Sequence, residues 1–377
     1  MPDKNQTDSH AESPRPSPLH ATHEKLGATF TDFAGWQMPV RYSSDLAEHK
    51  AVRASAGIFD ISHMAEFTVT GTEAGEFLDV ALAGRLSALK VGRAKYSLLL
   101  TETGGVIDDV IVYRLRDDEY LIISNAANRD AARSALQDRT QEFDVGVSDV
   151  SDDYALIAVQ GPHAEKILSS TSGITDLTTP WDEQRYFAWA SASFDGAPLL
   201  LARTGYTGED GFELLVPAAR ATALWAAVST AGDPYELVPA GLAARDSLRL
   251  EAGMPLYGHE LSRDTKPAQA GLGRVVVTAK ERFVGQRHVE PAADARVLVG
   301  LTSEGRRAGR AGYPVIAGDS EVGTVTSGIL SPTLGHPIAM AFVDPTHSDP
   351  GTELDIDVRG KRIPATVTTL PFYSRKK

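Results

Sequence analysis

Asp108 and Asp109 stand side by side in the stretch Gly104–Tyr113, GGVIDDVIVY. A Gly-Gly turn followed by β-branched and aromatic residues predicts a strand. Side chains alternate between the faces of a strand. Asp108 is therefore expected with Val106, Val110 and Val112, and Asp109 with Ile107, Ile111 and Tyr113. Both faces are otherwise apolar, so at least one carboxylate leaves bulk water or sits at a pocket rim. That is costly unless the group is hydrogen-bonded, paired or in use. A carboxylate held this way can stabilise positive charge or move a proton. The competing reading is a solvated pair beside a turn.

Two further stretches carry charge into apolar surroundings. In GYTGEDGFELLV (Gly205–Val216) three glycines spaced three apart make a tight connection, after which Phe212, Leu214 and Val216 share one strand face and Glu213 the other. The spacing is neither GxxxxGK nor GxGxxG, so a nucleotide site is unsupported. In GLAARDSLRLEAGMPLYGHEL (Gly241–Leu261) Arg245 and Arg249 lie four apart on one predicted helix face. A guanidinium forks donors toward a planar acceptor. Beside a glutamate on a neighbouring strand it would suit a heterocycle with an acidic N–H edge and a carbonyl; a structural salt-bridge network is the alternative. His20 and His23 are spaced HxxH, and His63 sits in FDISHM, but none has companions at metal-ligand spacing. No metal site is expected, and His63 reads as a satisfied core or supporting histidine. HExxH and GxSxG are absent.

The whole chain bounds these sites. Its 377 residues, 42% hydrophobic, can bury more than one core, so two or three domains are expected. Net charge is −13 and the basic residues form no long stripe, which argues against nucleic acid. One short basic run, GRRAGRAG (Gly305–Gly312), stands out as a solvated loop or a docking patch. Without cysteine there are no disulfides, thiolate nucleophiles or Cys-held metals. No signal-peptide pattern or membrane-length apolar run is present, so a soluble cytoplasmic protein is expected.

Elements follow from periodicity and turn residues. Residues 1–17 read as a disordered polar tail. A helix is expected over Ser44–Ala56, capped by Ser43 or Ser44. Between Glu66 and about Asp149 come a strand (Glu66–Thr70), a helix (Thr72–Ala81), the Tyr96–Leu100/Val106–Tyr113 hairpin, a strand (Tyr120–Ser124) and a helix (Asn128–Arg139). A second unit holds Tyr154–Val159, Ala164–Ser169, the hairpin around Leu199–Val216 and helices at Ala221–Ala231 and Ala240–Ala252. After a linker near Lys280–Gln286, short alternating strands predict an all-β barrel or sandwich. The fold class is α+β.

Seven stretches, in order, make the chain resemble the glycine cleavage T-proteins, the tetrahydrofolate-dependent aminomethyltransferases. They are FAGWQMPV (Phe33–Val40), GIFDISHM (Gly57–Met64), GGVIDDVIVY, ALIAVQGP (Ala155–Pro162), RTGYTGEDGFEL, GLAARDSLRLEAGMPLYGHEL and GTVTSGILSPTLG (Gly323–Gly335). The likeness spans about Leu19 to Phe372. It implies a three-domain cloverleaf: a discontinuous folate-binding α+β domain (18–65 and 154–282), a second α+β domain with the catalytic aspartate (66–153), and a jelly-roll-like β barrel (283–377). The implied reaction moves the aminomethyl carbon from the lipoyl arm of H-protein to tetrahydrofolate, giving 5,10-methylenetetrahydrofolate, ammonia and reduced lipoyl. Asp109 matches the family's essential aspartate, expected to act ionised with nearby donors offsetting its burial. Glu213 and Arg245 match the pterin-edge residues, and Tyr96, Tyr113, Tyr206 and Met64 match positions of the pocket wall, where plain core packing is the competing reading. The resemblance further implies tetrahydrofolate and lipoylated H-protein as partners, a monomer, and no metal.

The chain departs from the family at Arg274, where many relatives have Trp, and at Lys266, where many have Asn, Ser or Thr; both are expected at the pocket rim or the carrier-docking surface. A folate-dependent demethylase would use the same carboxylate and pterin site. A non-catalytic folate-binding factor of the iron–sulfur branch would carry a Cys-containing KGCYxGQE-type motif, where this chain has KERFVGQRH (Lys280–His288).

Overall fold

The computed structural model describes residues 13–375. Residues 1–12 of the expected tail lie outside them. The end of that tail is ordered, against expectation: Arg15–Pro16 pairs in parallel with Trp36 and Gln37, and Arg15 lies 4.2 Å over the Trp36 ring. Ser17 Oγ donates to the buried Asp60 carboxylate at 2.6 Å. Polar composition suggested solvation, but these polar groups find protein partners.

Two mixed α/β units face each other. One is a seven-stranded sheet in the order Ile174–Thr175, Trp189–Phe194, Ala197–Ala202, Gly211–Pro217, Tyr154–Gln160, Gly57–Asp60, Val238–Pro239. Helices Ala164–Ser169 and Ala221–Gly232 cover one face. The other unit is a five-stranded sheet ordered Ala94–Leu100, Val106–Arg116, Glu119–Ser124, Ala65–Thr70, Gly146–Asp149, backed by helices Ala74–Ala81 and Arg129–Asp138. The uncovered faces meet through one cluster that includes Phe59, Ile61, Tyr113, Ile123, Leu156, Leu215, Ala244 and Leu248. The helix Asp45–Ala54 starts where the serine signal predicts, with Ser44 Oγ accepting from the Ala47 N–H at 3.2 Å. Such a cap stabilises a helix by about 1 kcal/mol.

The last segment is a closed barrel of six antiparallel strands, Val297–Ser303, Pro337–Val343, Ser320–Leu330, Pro314–Ala317, Glu353–Val358 and Lys361–Thr368. The expected linker before it is firmly held. Lys280 Nζ donates to three carbonyls, Asp79 (2.6 Å), Leu82 (2.5 Å) and Gly84 (2.7 Å), around the end of the Ala74–Ala81 helix. Burial pushes its ammonium down to about 8.

Two local features were not read from sequence. FAGW is a two-residue hairpin, with Phe33 opposite Trp36 and Ala34 and Gly35 both left-handed (φ 53° and 78°); a primed turn of this kind matches the strand twist. The Val106–Arg116 strand carries a β-bulge: Leu100 pairs with Val106 but Leu99 with Asp108, leaving Ile107 extra. Alternation therefore breaks there. Ile107 packs with Val110 and Val112 on the helix-backed face, and Val106 turns to the opposite side.

Candidate active site

Downstream of the bulge the two aspartates point to opposite faces, as alternation requires. Asp108 is fully buried toward the helix-backed core and saturated with donors. It accepts from Ser124 Oγ, from the Asn125 N–H at 2.9 Å, and from the side-chain amides of Asn125 (2.8 Å) and Asn128 (2.6 Å). Asp109 points to the central face and has fewer partners. Tyr96 donates to its Oδ2 at 2.9 Å, and Asn125 Nδ2 to its Oδ1 at 2.8 Å. Burial, with the Asp108 charge adding to it, pushes the Asp109 carboxyl up to about 7. The donors lower it but do not offset the burial in the protein by itself. Asn125 was not singled out from sequence. Its position at the end of a strand, in IISN, is a weak signal, yet one amide group binds both carboxylates.

Glu213 reaches the centre from the Gly211–Pro217 strand. The loop before it closes around the buried side chain of Gln160, which donates to Thr204 O (3.0 Å) and accepts from Thr207 Oγ1 (2.9 Å). A Cβ at Gly205 or Gly211 would collide with that amide, so both positions need glycine for close approach. Thr204 Oγ1 donates to Glu213 Oε2 at 2.5 Å, and the Tyr113 hydroxyl lies 3.2 Å from Thr204 Oγ1. Tyr113 is therefore a buried support beneath Glu213 more than an open wall.

Arg245 lies one turn into the helix Leu242–Glu251. Its guanidinium sits 4.9 Å over the Tyr206 ring, and its buried Nη1 has no hydrogen-bond partner among the described residues. Burial lowers its affinity for its proton, while the nearby Glu213 charge holds the cation. Tyr206 donates through its hydroxyl to Pro255 O and faces the Asp109 charge. Met64 packs at the margin of the cluster that contains Tyr113. The fold thus brings all seven sequence-selected residues to one central region.

Arg249 lies beside Tyr206 but its donors are committed elsewhere. It is 1% exposed and bonds Asp246, Glu260, Met254 O and Ser327, so for this arginine the salt-bridge-network reading is correct. His63 is buried as expected, but its Nδ1 lacks a partner among the described residues, so it is not a satisfied core histidine. Arg274 is exposed, and Lys266 Nζ donates to Thr103 O in the turn before the Asp109 strand. Among the described residues no cluster of His, Asp and Glu is arranged to hold a metal, and no helix is long and apolar enough to cross a membrane.

This geometry has relatives. Residues 19–280 match the GCVT N-terminal domain and residues 296–374 the glycine cleavage T-protein C-terminal barrel domain. The chain is 59% identical to an aminomethyltransferase of Cutibacterium acnes, covering 96% of this chain and 99% of that one. It is 54% identical to an aminomethyltransferase of Saccharopolyspora erythraea over the same shares. The crystal structure of glycine cleavage system aminomethyltransferase T from Bartonella henselae superposes with a TM-score of 0.88 at 37% identity, covering 96% of this chain and 98% of that one. Both lobes and the barrel are matched in order over nearly the full length, and the chain belongs to the glycine cleavage T-protein family of aminomethyltransferases.

Proposed function

We propose that this aminomethyltransferase of the glycine cleavage system takes the aminomethyl carbon from the lipoyl arm of H-protein and delivers it to tetrahydrofolate, releasing ammonia. The carrying observation is a buried acid, Asp109, held by only Tyr96 and Asn125, with Tyr206 lying between it and an arginine whose Nη1 has no partner among the described residues and which sits beside Glu213. Tetrahydrofolate supplies the nitrogen that accepts the carbon. The residues fit its pterin: Glu213 offers an acceptor for N–H groups, Arg245 Nη1 an uncommitted donor for a carbonyl, and Tyr96, Tyr206 and Met64 flat or soft walls. Tyr113 acts through Thr204 to hold Glu213.

Asp109 does the proton work. A carboxyl near 7 can hold or release a proton at neutral pH, where general acid–base catalysis is most efficient. A cationic amine arriving beside it favours the ionised form, and the carboxylate then stabilises positive charge in a low-dielectric site. Asn125 and Tyr96 fix its orientation. In this reading the folate domain is 18–65 with 154–282, the acid-bearing domain 66–153 and the barrel 283–377. The enzyme works as a cytoplasmic monomer.

The acidic carrier docks on the barrel in the same proposal. Arg307, Arg310, Arg359 and Lys361 line one groove with Tyr313, adjoining Arg306. Neutralising Arg306, Arg307 and Arg310 together is expected to raise the carrier KM about ten-fold and flatten its salt dependence; an unchanged KM removes the docking assignment. The main test is turnover of aminomethyl-lipoyl H-protein with tetrahydrofolate. Asp109→Asn is expected to lower kcat about 10³-fold with folate still bound. Absence of wild-type turnover despite tight folate binding would instead favour the demethylase.

A further inference from the structure

Among the described residues, four buried side-chain nitrogen or oxygen atoms have no hydrogen-bond partner. Two belong to residues of the central region, Arg245 Nη1 and His63 Nδ1. The path of the chain explains why these two are neighbours. Val238–Pro239, just before the Arg245 helix, pairs in parallel with Gly57 and Ile58, and the Ala240 N–H donates to Ile58 O at 2.9 Å. Ala244 packs in the same cluster as Phe59 and Ile61. The helix start and the turn that ends the Gly57–Asp60 strand are thus tied to one strand.

That turn is itself pinned. The Met64 N–H donates to Ile61 O at 3.1 Å, and Asp60 Oδ1 accepts from the Ser62 N–H at 2.9 Å. Ser62 Oγ exchanges hydrogen bonds with the Leu156 backbone, accepting at 3.1 Å and donating at 3.3 Å. Ser62 therefore takes the sheet side. His63 precedes the wall residue Met64, and the Phe33 ring meets it edge-on at 5.3 Å. The residue is 4% exposed. Burial first, and the Arg245 charge second, push the imidazole down to about 4, so it is neutral at physiological pH.

A neutral imidazole has one N–H donor and one bare acceptor. Buried polar atoms are nearly always paired, and an unpaired one calls for a reason. Glu213 can only accept and Arg245 can only donate. The edge of a pterin presents both kinds of group, with N–H and carbonyl at one end and a 2-amino group beside a bare ring nitrogen at the other. Glutamate and arginine answer the ring N–H, one N–H of the adjoining 2-amino group and the carbonyl, and leave the second amino N–H and the bare ring nitrogen to a partner of mixed character.

We propose that His63 is a further folate-binding and specificity residue, its Nδ1 meeting the amino-pyrimidine end of the pterin beside Glu213 and Arg245. The proposal rests on the folate reading above and adds a residue that neither charge nor metal-ligand spacing singled out.

The experiment is calorimetric binding of tetrahydrofolate and of its 2-desamino analogue to wild type, Glu213→Gln, His63→Leu and His63→Asn, with the carrier KM measured alongside. His63→Leu is expected to weaken tetrahydrofolate about ten-fold and to shrink the preference over the analogue by a similar factor, with the carrier KM within about two-fold. His63→Asn keeps a polar atom near the place of Nδ1 and is expected to recover most of the loss. If His63→Leu does not fold, His63→Gln is read in its place, because it moves the polar atom to the place of Nε2. An unchanged preference in the folded variant overturns the proposal even where thermal stability falls, since a packing role lowers stability without altering discrimination. Wild type that fails to bind tetrahydrofolate, or Glu213→Gln that binds as wild type, overturns the folate reading itself and this proposal with it.

Discussion

Arg245 and Arg249 lie one turn apart on the same helix, and their surroundings differ in kind. Arg249 occupies the seam between that helix and the barrel, where Asp246, Glu260, Met254 O and Ser327 take up its donors. Two residues on, Glu251 accepts from Arg53 (2.8 Å), Ser331 (2.5 Å) and Thr333 (2.7 Å), with His49 3.2 Å away. Arg245, facing the centre, keeps a buried Nη1 without a partner. The aspartate pair repeats the contrast, Asp108 saturated and Asp109 only partly so. Saturated buried charges fasten parts together. Undersatisfied ones cost stability and mark where a ligand completes the set.

The contrast can be broken by mutation. Arg249→Met leaves Glu260 buried and unpaired and is expected to destabilise the protein by about 3–5 kcal/mol in denaturant unfolding. The same change at Arg245 is expected to leave the ligand-free protein as stable or more so, while weakening folate about ten- to a hundred-fold by calorimetry. Equal losses of stability at both sites would erase the distinction.

Asp109 sharpens it further. Its folded carboxyl titrates at about 7 against an ordinary 3.8, so folding takes up a proton between those values. Its favourable contribution is complete below about 4 and is lost as pH rises through 7. Asp109→Asn is therefore expected to be more stable than wild type at pH 8 in denaturant unfolding, by at least about 1 kcal/mol, with the gap closing toward pH 4. Asn125→Ala removes a donor to the ionised form. The acid limb of kcat should move to higher pH, by roughly one unit. The smallest effect belongs to Tyr113→Phe, which cuts the link through Thr204 to Glu213. It is expected to change folate affinity by about 1 kcal/mol or less with stability nearly unchanged.

Much of this was legible in the chain. The β-branched run around Asp108 and Asp109, the serine cap at residue 44 and the alternating strands after Lys280 follow from local chemistry, which sequence carries directly. Alternation also assigned the two aspartates to opposite faces, and the motifs named the residues that meet at the centre. What sequence could not give is satisfaction. Whether a buried arginine or carboxylate finds partners depends on donors brought from distant segments: Ser327 to Arg249, Asn125 to Asp109, Thr204 to Glu213. The bulge at Ile107 is of the same kind, since an extra residue is defined only against the strand it pairs with. Residue type and period showed that at least one of the paired carboxylates leaves water, but not that Lys280, Glu251 and Glu260 do. Only the tertiary structure decided which of them are matched by protein partners and which keep a polar atom without one among the described residues.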